Sequence, residues 1–193
     1  MTWLLCDYGE VLSEAQPTDE RSALVTASGV AETAFWRAYW THRPAYDRAD
    51  ISAETYWACV LGPSAGHLQL HDLITRDVDS WLHPNPAVVA SAAQAGRRGY
   101  RLAILSNAPM EVADAIERAP WLASFELRMF SSRLRLTKPD PAAYRKVLDH
   151  LAAQPEEVVF FDDRQENVTA AQAVGIQAHR FHDASQLDDL PPI

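Results

Sequence analysis

The first dozen residues alternate apolar and polar character in an order that one geometry explains. Trp3-Leu4-Leu5-Cys6 is an unbroken apolar run, Asp7 ends it, and Val11-Leu12 resumes it after Tyr8-Gly9-Glu10. A run with no polar face predicts a strand buried on both sides, as in a parallel sheet. In such sheets functional groups stand just past the carboxyl ends of the strands, where Asp7 falls. A carboxylate there is costly unless it is paired, hydrogen-bonded or bound to metal. From this stretch alone, a turn or helix-capping aspartate is an equal reading.

From about Thr18 to Leu82 the pattern is helical throughout. Thr18-Asp19-Glu20 reads as an N-cap followed by acids, opening a helix that ends near Ser28-Gly29. Ala31 to Thr41 carries Phe35, Trp36, Tyr39 and Trp40, an aromatic stripe read as packing between helices in preference to Trp36, Tyr39 and Trp40 lining a pocket. His42-Arg43-Pro44 is expected to interrupt it as a loop. Ser52 caps a third helix through Val60, ended by Leu61-Gly62-Pro63, and His67 to Leu82 forms a fourth. His67 and His71, four apart, read as surface histidines because no third ligand clusters with them.

From Pro86 onward helix and strand alternate. Helices are expected over Ala87 to Arg98, Pro109 to Ala119, Asp140 to Ala153 and Glu166 to Val174. Strands are expected over Arg101 to Leu105, Glu126 to Phe130, Glu157 to Phe161 and Ile176 to Phe181. Such alternation predicts an α/β fold, a Rossmann-like parallel sheet with helices on both faces. The helical block interrupts it after the first strand. Residues 1–13 and 85–193 then form the core and residues 14–84 an inserted all-α domain. The insertion leaves from the strand that carries Asp7, so it should lie over that carboxylate.

Composition narrows the function. The 193 residues are 48% hydrophobic with a formal net charge of −9 and no basic run, which excludes nucleic acid and anionic membrane as main partners. Two cysteines give no disulfide framework, and Cys6 reads as a small packed thiol. With neither a signal peptide pattern nor a membrane-length apolar segment, the expected location is the cytoplasm.

Four polar stations fall at strand ends or a core loop: Asp7, Ser106-Asn107, Lys138 and Asp162-Asp163. Together they offer a carboxylate nucleophile, a hydroxyl donor, a cation and an acidic pair. Hard divalent cations take oxygen ligands, and a phosphate needs a cation, donors and a helix N-terminus. The stations lie within Leu-Leu-Cys-Asp-Tyr-Gly-Glu-Val-Leu, Ile-Leu-Ser-Asn, Thr-Lys-Pro-Asp-Pro-Ala-Ala-Tyr and Val-Val-Phe-Phe-Asp-Asp-Arg-Gln-Glu-Asn-Val. In these motifs and their order the chain resembles the haloacid dehalogenase superfamily, with the helical block as that family's small cap. It is similar to the glucose-1-phosphate phosphatase branch, which has Asp-x-Gly at the first motif.

The resemblance implies a magnesium-dependent phosphatase acting on a small phosphorylated metabolite, a sugar phosphate first, as a monomer or homodimer. Asp7 would attack phosphorus and form an aspartyl-phosphate. Mg2+ would be held by Asp7, the backbone carbonyl of Gly9 and Asp163, with Asp162 a weaker or indirect ligand. Asn167 would orient Asp163. Ser106, Asn107 and Lys138 would bind the phosphate. His42, Arg43 and Tyr46, in the expected cap loop, are the candidates for specificity.

One departure stands out. Most phosphatases of this family carry a second aspartate two residues after the nucleophile as general acid and base, and here that place is Gly9. Three readings follow: a phosphatase with a good leaving group or another proton source, a 2-haloacid dehalogenase, or a non-catalytic phospholigand- or partner-binding protein. Glycine at this place also satisfies a tight turn or a close backbone approach.

Overall fold

The computed structural model describes residues 2–62 and 67–193, with no side chains described for residues 67–69. Pro63 and the side chain of His67 therefore lie outside the described residues, while His71 is exposed. Strands β1 (Trp3–Cys6), β2 (Arg101–Ser106), β3 (Phe125–Phe130), β4 (Val158–Asp162) and β5 (Gln177–Arg180) form one parallel sheet in the order β3-β2-β1-β4-β5. The first strand is thus the central one. Trp3 pairs with Arg101 on one side and Val158 on the other.

Strand alternation divides β1 between two apolar layers. Leu4 and Cys6 pack with Val88, Ala92 and Val112 from helices α5 (Pro86–Arg97) and α6 (Met110–Glu117). Trp3 and Leu5 pack with Tyr144, Val147 and Val168 from α8 (Pro141–Leu151) and α9 (Gln165–Ala173). Local signals set the helix ends. Asp140 accepts from Ala142 N at 2.8 Å to cap α8, and Gly175 follows α9 at φ +92°, a backbone conformation that favours glycine.

Four helices, α1 (Thr18–Ser28), α2 (Glu32–Asp47), α3 (Ala53–Leu61) and α4 (His67–Ser80), surround a separate apolar cluster that includes Leu24, Phe35, Tyr39, Trp57 and Leu73. The chain leaves the sheet for these helices and returns from them through paired backbone. Ser13 and Pro84 form an antiparallel bridge, Glu14 N donates to His83 O at 2.7 Å, and Asn85 N donates to Leu12 O at 2.9 Å.

Two expectations change. Helix α2 does not stop at His42-Arg43-Pro44 but runs through Pro44 to Asp47. A proline inside a helix costs about 3 kcal/mol or more, and Arg43 works against that cost by joining Tyr39 one turn back to Asp47 one turn on. Thr18 is the first helical residue of α1, after Pro17, with no side-chain cap. The acidic, proline-containing tail, which carries no readable pattern, packs on the core. Its short helix α10 (Ser185–Asp188) buries Leu187, and the Arg98 guanidinium holds the carbonyls of Leu187, Asp188 and Leu190. A four-residue helix α7 (Ser131–Leu134) after β3 has no counterpart in the sequence pattern. Among the described residues, no helix is long and apolar enough to cross a membrane.

Candidate active site

The carboxyl ends of the three central strands bring the polar stations together. Asp7 follows β1, and its backbone N–H donates to Phe161 O of β4 at 2.9 Å. Ser106 ends β2 and Asp162 ends β4. These groups, with Lys138 and Asp163, line a cleft of about 790 Å³ or lie directly behind its wall. Its other side is formed by α2 and by Trp81, which follows α4.

Beyond Asp7 the chain makes one wide turn over Tyr8–Leu12, closed by Ser13 N to Tyr8 O at 2.8 Å. The Asp7 carboxylate accepts from Tyr8 N at 2.6 Å, so it serves the turn as well as the cleft. Tyr8 anchors the turn through its hydroxyl, which donates to Trp81 O at 2.8 Å. The residue in left-handed backbone is Glu10, at φ +57°, and not Gly9, whose φ of −63° and ψ of 128° suit any residue. A Cβ built on Gly9 would meet Trp81 Cζ3 at 3.7 Å, an ordinary contact. Neither turn geometry nor close backbone approach therefore requires glycine at position 9.

Lys138 is the buried hub. Its Nζ lies 2.8 Å from Asp7 Oδ2 and 2.6 Å from Asp162 Oδ2. Asn107 fixes the Lys138 loop reciprocally: its Nδ2 donates to Lys138 O at 2.8 Å and its Oδ1 accepts from Lys138 N at 2.9 Å. The Asn107 side chain is thus committed to this loop, a role beyond the phosphate contact expected of it. Asp162 is fully buried and saturated, accepting from Lys138, from Arg164 N at 2.9 Å, and from Asn167 Nδ2 at 2.9 and 3.0 Å. Asn167 thus orients Asp162 and not Asp163, because its position on α9 aims the amide back at the strand end. Asp163 is half-buried and faces the cleft.

Charge is unevenly met. Burial opposes ionisation of Asp162, yet Lys138 and its other donors hold its carboxyl below the usual range. Burial raises Asp7 to about 7, with Lys138 opposing the shift and Asp162 adding to it. Burial and the charge of Asp162 raise Asp163 to about 6. One ammonium thus faces three carboxylates, each with an oxygen within 4.8 Å of the others. The surplus negative charge, the all-oxygen donor set and the buried, unpartnered Oδ1 of Asn167 suit a hard divalent cation, and magnesium needs only one or two carboxylates. Asp7 and Asp163 are the carboxylates left open to it.

The expected specificity residues move. Because α2 continues through Pro44, the positions facing the cleft are Trp40, Arg43, Pro44, Asp47 and Arg48, the spacing of one helix face. Tyr46 is buried off the cleft, its hydroxyl donating to Glu111 Oε2 at 2.7 Å. His42 is also absent from the lining. Arg43 reaches the cleft edge, but its guanidinium is engaged by Asp47 at 2.8 Å, Asp77 at 3.3 Å and the Tyr39 hydroxyl. Trp36 and Tyr39 pack as expected, whereas Trp40 is 50% exposed. Trp40 takes the less favoured of its two readings, as a cleft residue, and Arg48, Trp81, Glu10 and Arg164 join the lining without having been expected there. The three-and-four spacing from Trp40 to Arg48 is the signal that an unbroken helix would have supplied.

Residues 18–175 match the haloacid dehalogenase-like hydrolase family, and the chain belongs to it. Among curated relatives it is 28% identical over 125 residues to a phosphorylated carbohydrates phosphatase of Thermotoga maritima, covering 62% of this chain and 58% of that protein. It is 28% identical to (S)-2-haloacid dehalogenase 1 of a Pseudomonas species, covering 67% of this chain and 65% of that one. With the rat bifunctional epoxide hydrolase 2 it shares 29% identity over 56% of this chain but only 21% of the relative. The chain thus spans well under two thirds of the Thermotoga and rat relatives. A haloacid dehalogenase family enzyme from Bacteroides thetaiotaomicron, crystallised with magnesium and inorganic phosphate, shares the fold at a TM-score of 0.76 and 19% identity over 97% of this chain and 98% of that one. A dehalogenase crystallised as an intermediate complex does so at 0.71 and 16% identity, over 97% and 95%.

Proposed function

We propose that this hydrolase is a magnesium-dependent phosphatase of small phosphomonoesters, with Asp7 as nucleophile. The observation that carries the reading is the cluster of Asp7, Asp162 and Asp163 around one buried lysine. Displacement of halide from carbon does not call for a third carboxylate with surplus charge, whereas a phosphoryl group brings negative charge that a metal and Lys138 would offset. The phosphatase relative and the magnesium- and phosphate-bound neighbour support the same reading.

In this reading an Asp7 carboxylate oxygen attacks phosphorus as the bond to the leaving oxygen breaks. The leaving oxygen takes its proton from water, since position 9 carries no acid. Water then hydrolyses the aspartyl-phosphate and frees Asp7. Ser106 and the backbone of Asn107 hold phosphoryl oxygens, and Lys138 steadies the charge on Asp7 and the phosphoryl group. Magnesium, held by Asp7, Asp163 and the Gly9 carbonyl, would supply electrostatic stabilisation of the transferring group. A sugar phosphate is the first substrate to test, and the setting is the cytoplasm.

The second reading, a 2-haloacid dehalogenase, is favoured by glycine at position 9, because halide departs without a proton. Phosphate release from a panel of sugar phosphates and an activated aryl phosphate, with magnesium or chelator, beside Asp7→Asn, separates the two. The phosphatase needs magnesium and falls silent in the variant. Chelator-insensitive halide release from 2-haloacids would establish the second reading instead. Silence in both assays, with no covalent phosphate in a single turnover, would leave a binding protein.

A further inference from the structure

We infer that Trp40 is a stacking platform for the leaving group, and that the substrates are phosphomonoesters whose leaving group carries a ring with an apolar face. This rests on the phosphatase reading for the position of the phosphate. Helix α2 presents several aromatic residues, and Phe35 and Tyr39 are fully buried in the cap cluster. Trp40 is 50% exposed and lines the cleft that holds Asp7 and Lys138. Its indole meets Tyr39 in a T-shaped contact, with centroids 4.8 Å apart and planes at 80°. Scattered exposed apolar residues are normal on a protein surface, but this one shares its helix face with exposed Pro44, which also lines the cleft.

A second observation points the same way. Beside the nucleophile, where a second carboxylate would stand, Gly9 leaves only backbone, and the Trp81 ring lies 3.7 Å from where its Cβ would be. Trp81 lines the same cleft. The α2 side of the cleft thus offers two indoles, Trp40 and Trp81, among the charged groups Arg43, Asp47 and Arg48. A cleft that binds phosphate at one end and exposes indole beyond it suits a ligand with one anionic end and a body that presents a flat apolar face. Pyranosyl and aryl phosphates have that form, because one face of a sugar ring or either face of an arene packs on indole. A short acyclic polyol phosphate does not.

The test is calorimetric titration of the magnesium-loaded protein with two non-hydrolysable ligands, benzylphosphonate and methylphosphonate. The wild type should bind the benzyl compound about tenfold more tightly, the scale of one aromatic contact with its buried area. In Trp40→Ala that ratio should fall below about twofold, and Trp40→Phe should restore part of it. A purely structural role would not move the ratio. A wild type that binds benzylphosphonate no better than methylphosphonate, or not at all, overturns the inference, as does an unchanged ratio in Trp40→Ala. The phosphatase reading fails separately: a ring preference that Trp40→Ala removes, in a protein that releases no phosphate from any ester, sinks that reading and keeps the platform.

Discussion

At the scale of single residues, the site turns on how one buried ammonium is shared. Burial works against the charge on Lys138, and Asp7 and Asp162 more than offset it, keeping its proton above the usual lysine range. Removing it leaves Asp162 fully buried without a counter-charge. Lys138→Met should lower stability by about 3–5 kcal/mol, the usual cost of breaking a buried ion pair from one side, measured by urea unfolding. The raised carboxylates give a second expectation. Asp7 at about 7 and Asp163 at about 6 hold protons in the folded state that the unfolded chain, with carboxylates near the ordinary 3.8, releases. The folded state therefore binds more protons between those values, and stability falls as pH rises through them. The melting temperature of the magnesium-free protein should drop between about pH 4 and about pH 7, and Asp163→Asn should shrink the drop. A flat profile would mean that both groups ionise without penalty.

At the scale of elements, α2 carries the most unusual arrangement. Arg43 is buried, with Asp47 from its own helix and Asp77 from α4 as partners, and its guanidinium packs near the rings of Tyr39 and Trp81. It ties two cap helices together on the side that roofs the cleft. Arg43→Ala should destabilise the protein by about 3–5 kcal/mol, because two buried carboxylates lose their cation. Hydrogen exchange should speed up first in α2 and α4. Arg43→Lys should recover little, since an ammonium cannot reproduce the planar fork that reaches Asp47, Asp77 and Tyr39 at once. Full rescue by lysine would show that charge alone matters here.

At the scale of the molecule, specific hydrogen bonds help to hold the helical layer over the core. The Ser131 hydroxyl donates to Asp47 O at 2.6 Å, Tyr46 donates to Glu111 at 2.7 Å, and Tyr8 reaches Trp81 O at 2.8 Å. Each ties a cap residue to a residue of the α/β core, on α6, on α7 or in the turn after β1. Tyr46→Phe removes one of them with little change in volume. It should cost about 1 kcal/mol and raise the hydrogen exchange of α2 relative to β1. A variant indistinguishable from wild type in both measurements would show that this contact does not hold the cap.

The sequence by itself determined the sheet, its interruption by helices, and the arrival of four polar stations at one rim. The physical reason is local: buried parallel strands need continuous apolar runs, and a polar residue ending such a run marks the strand's carboxyl end. Only the tertiary structure decided how those stations divide their work. Asp162 and Asp163 are adjacent and chemically identical, yet one points back to Lys138 and Asn167 while the other faces the cleft. Pro44 reads as a helix breaker, and the helix survives it because Asp77, 34 residues on from Arg43, helps to hold that arginine just before the proline. Trp40 and Tyr39 are neighbours in an aromatic stripe, and the docking of α2 buries one and opens the other to the cleft. Each of these outcomes depends on a partner distant in sequence, and local pattern carries no record of which partner that is.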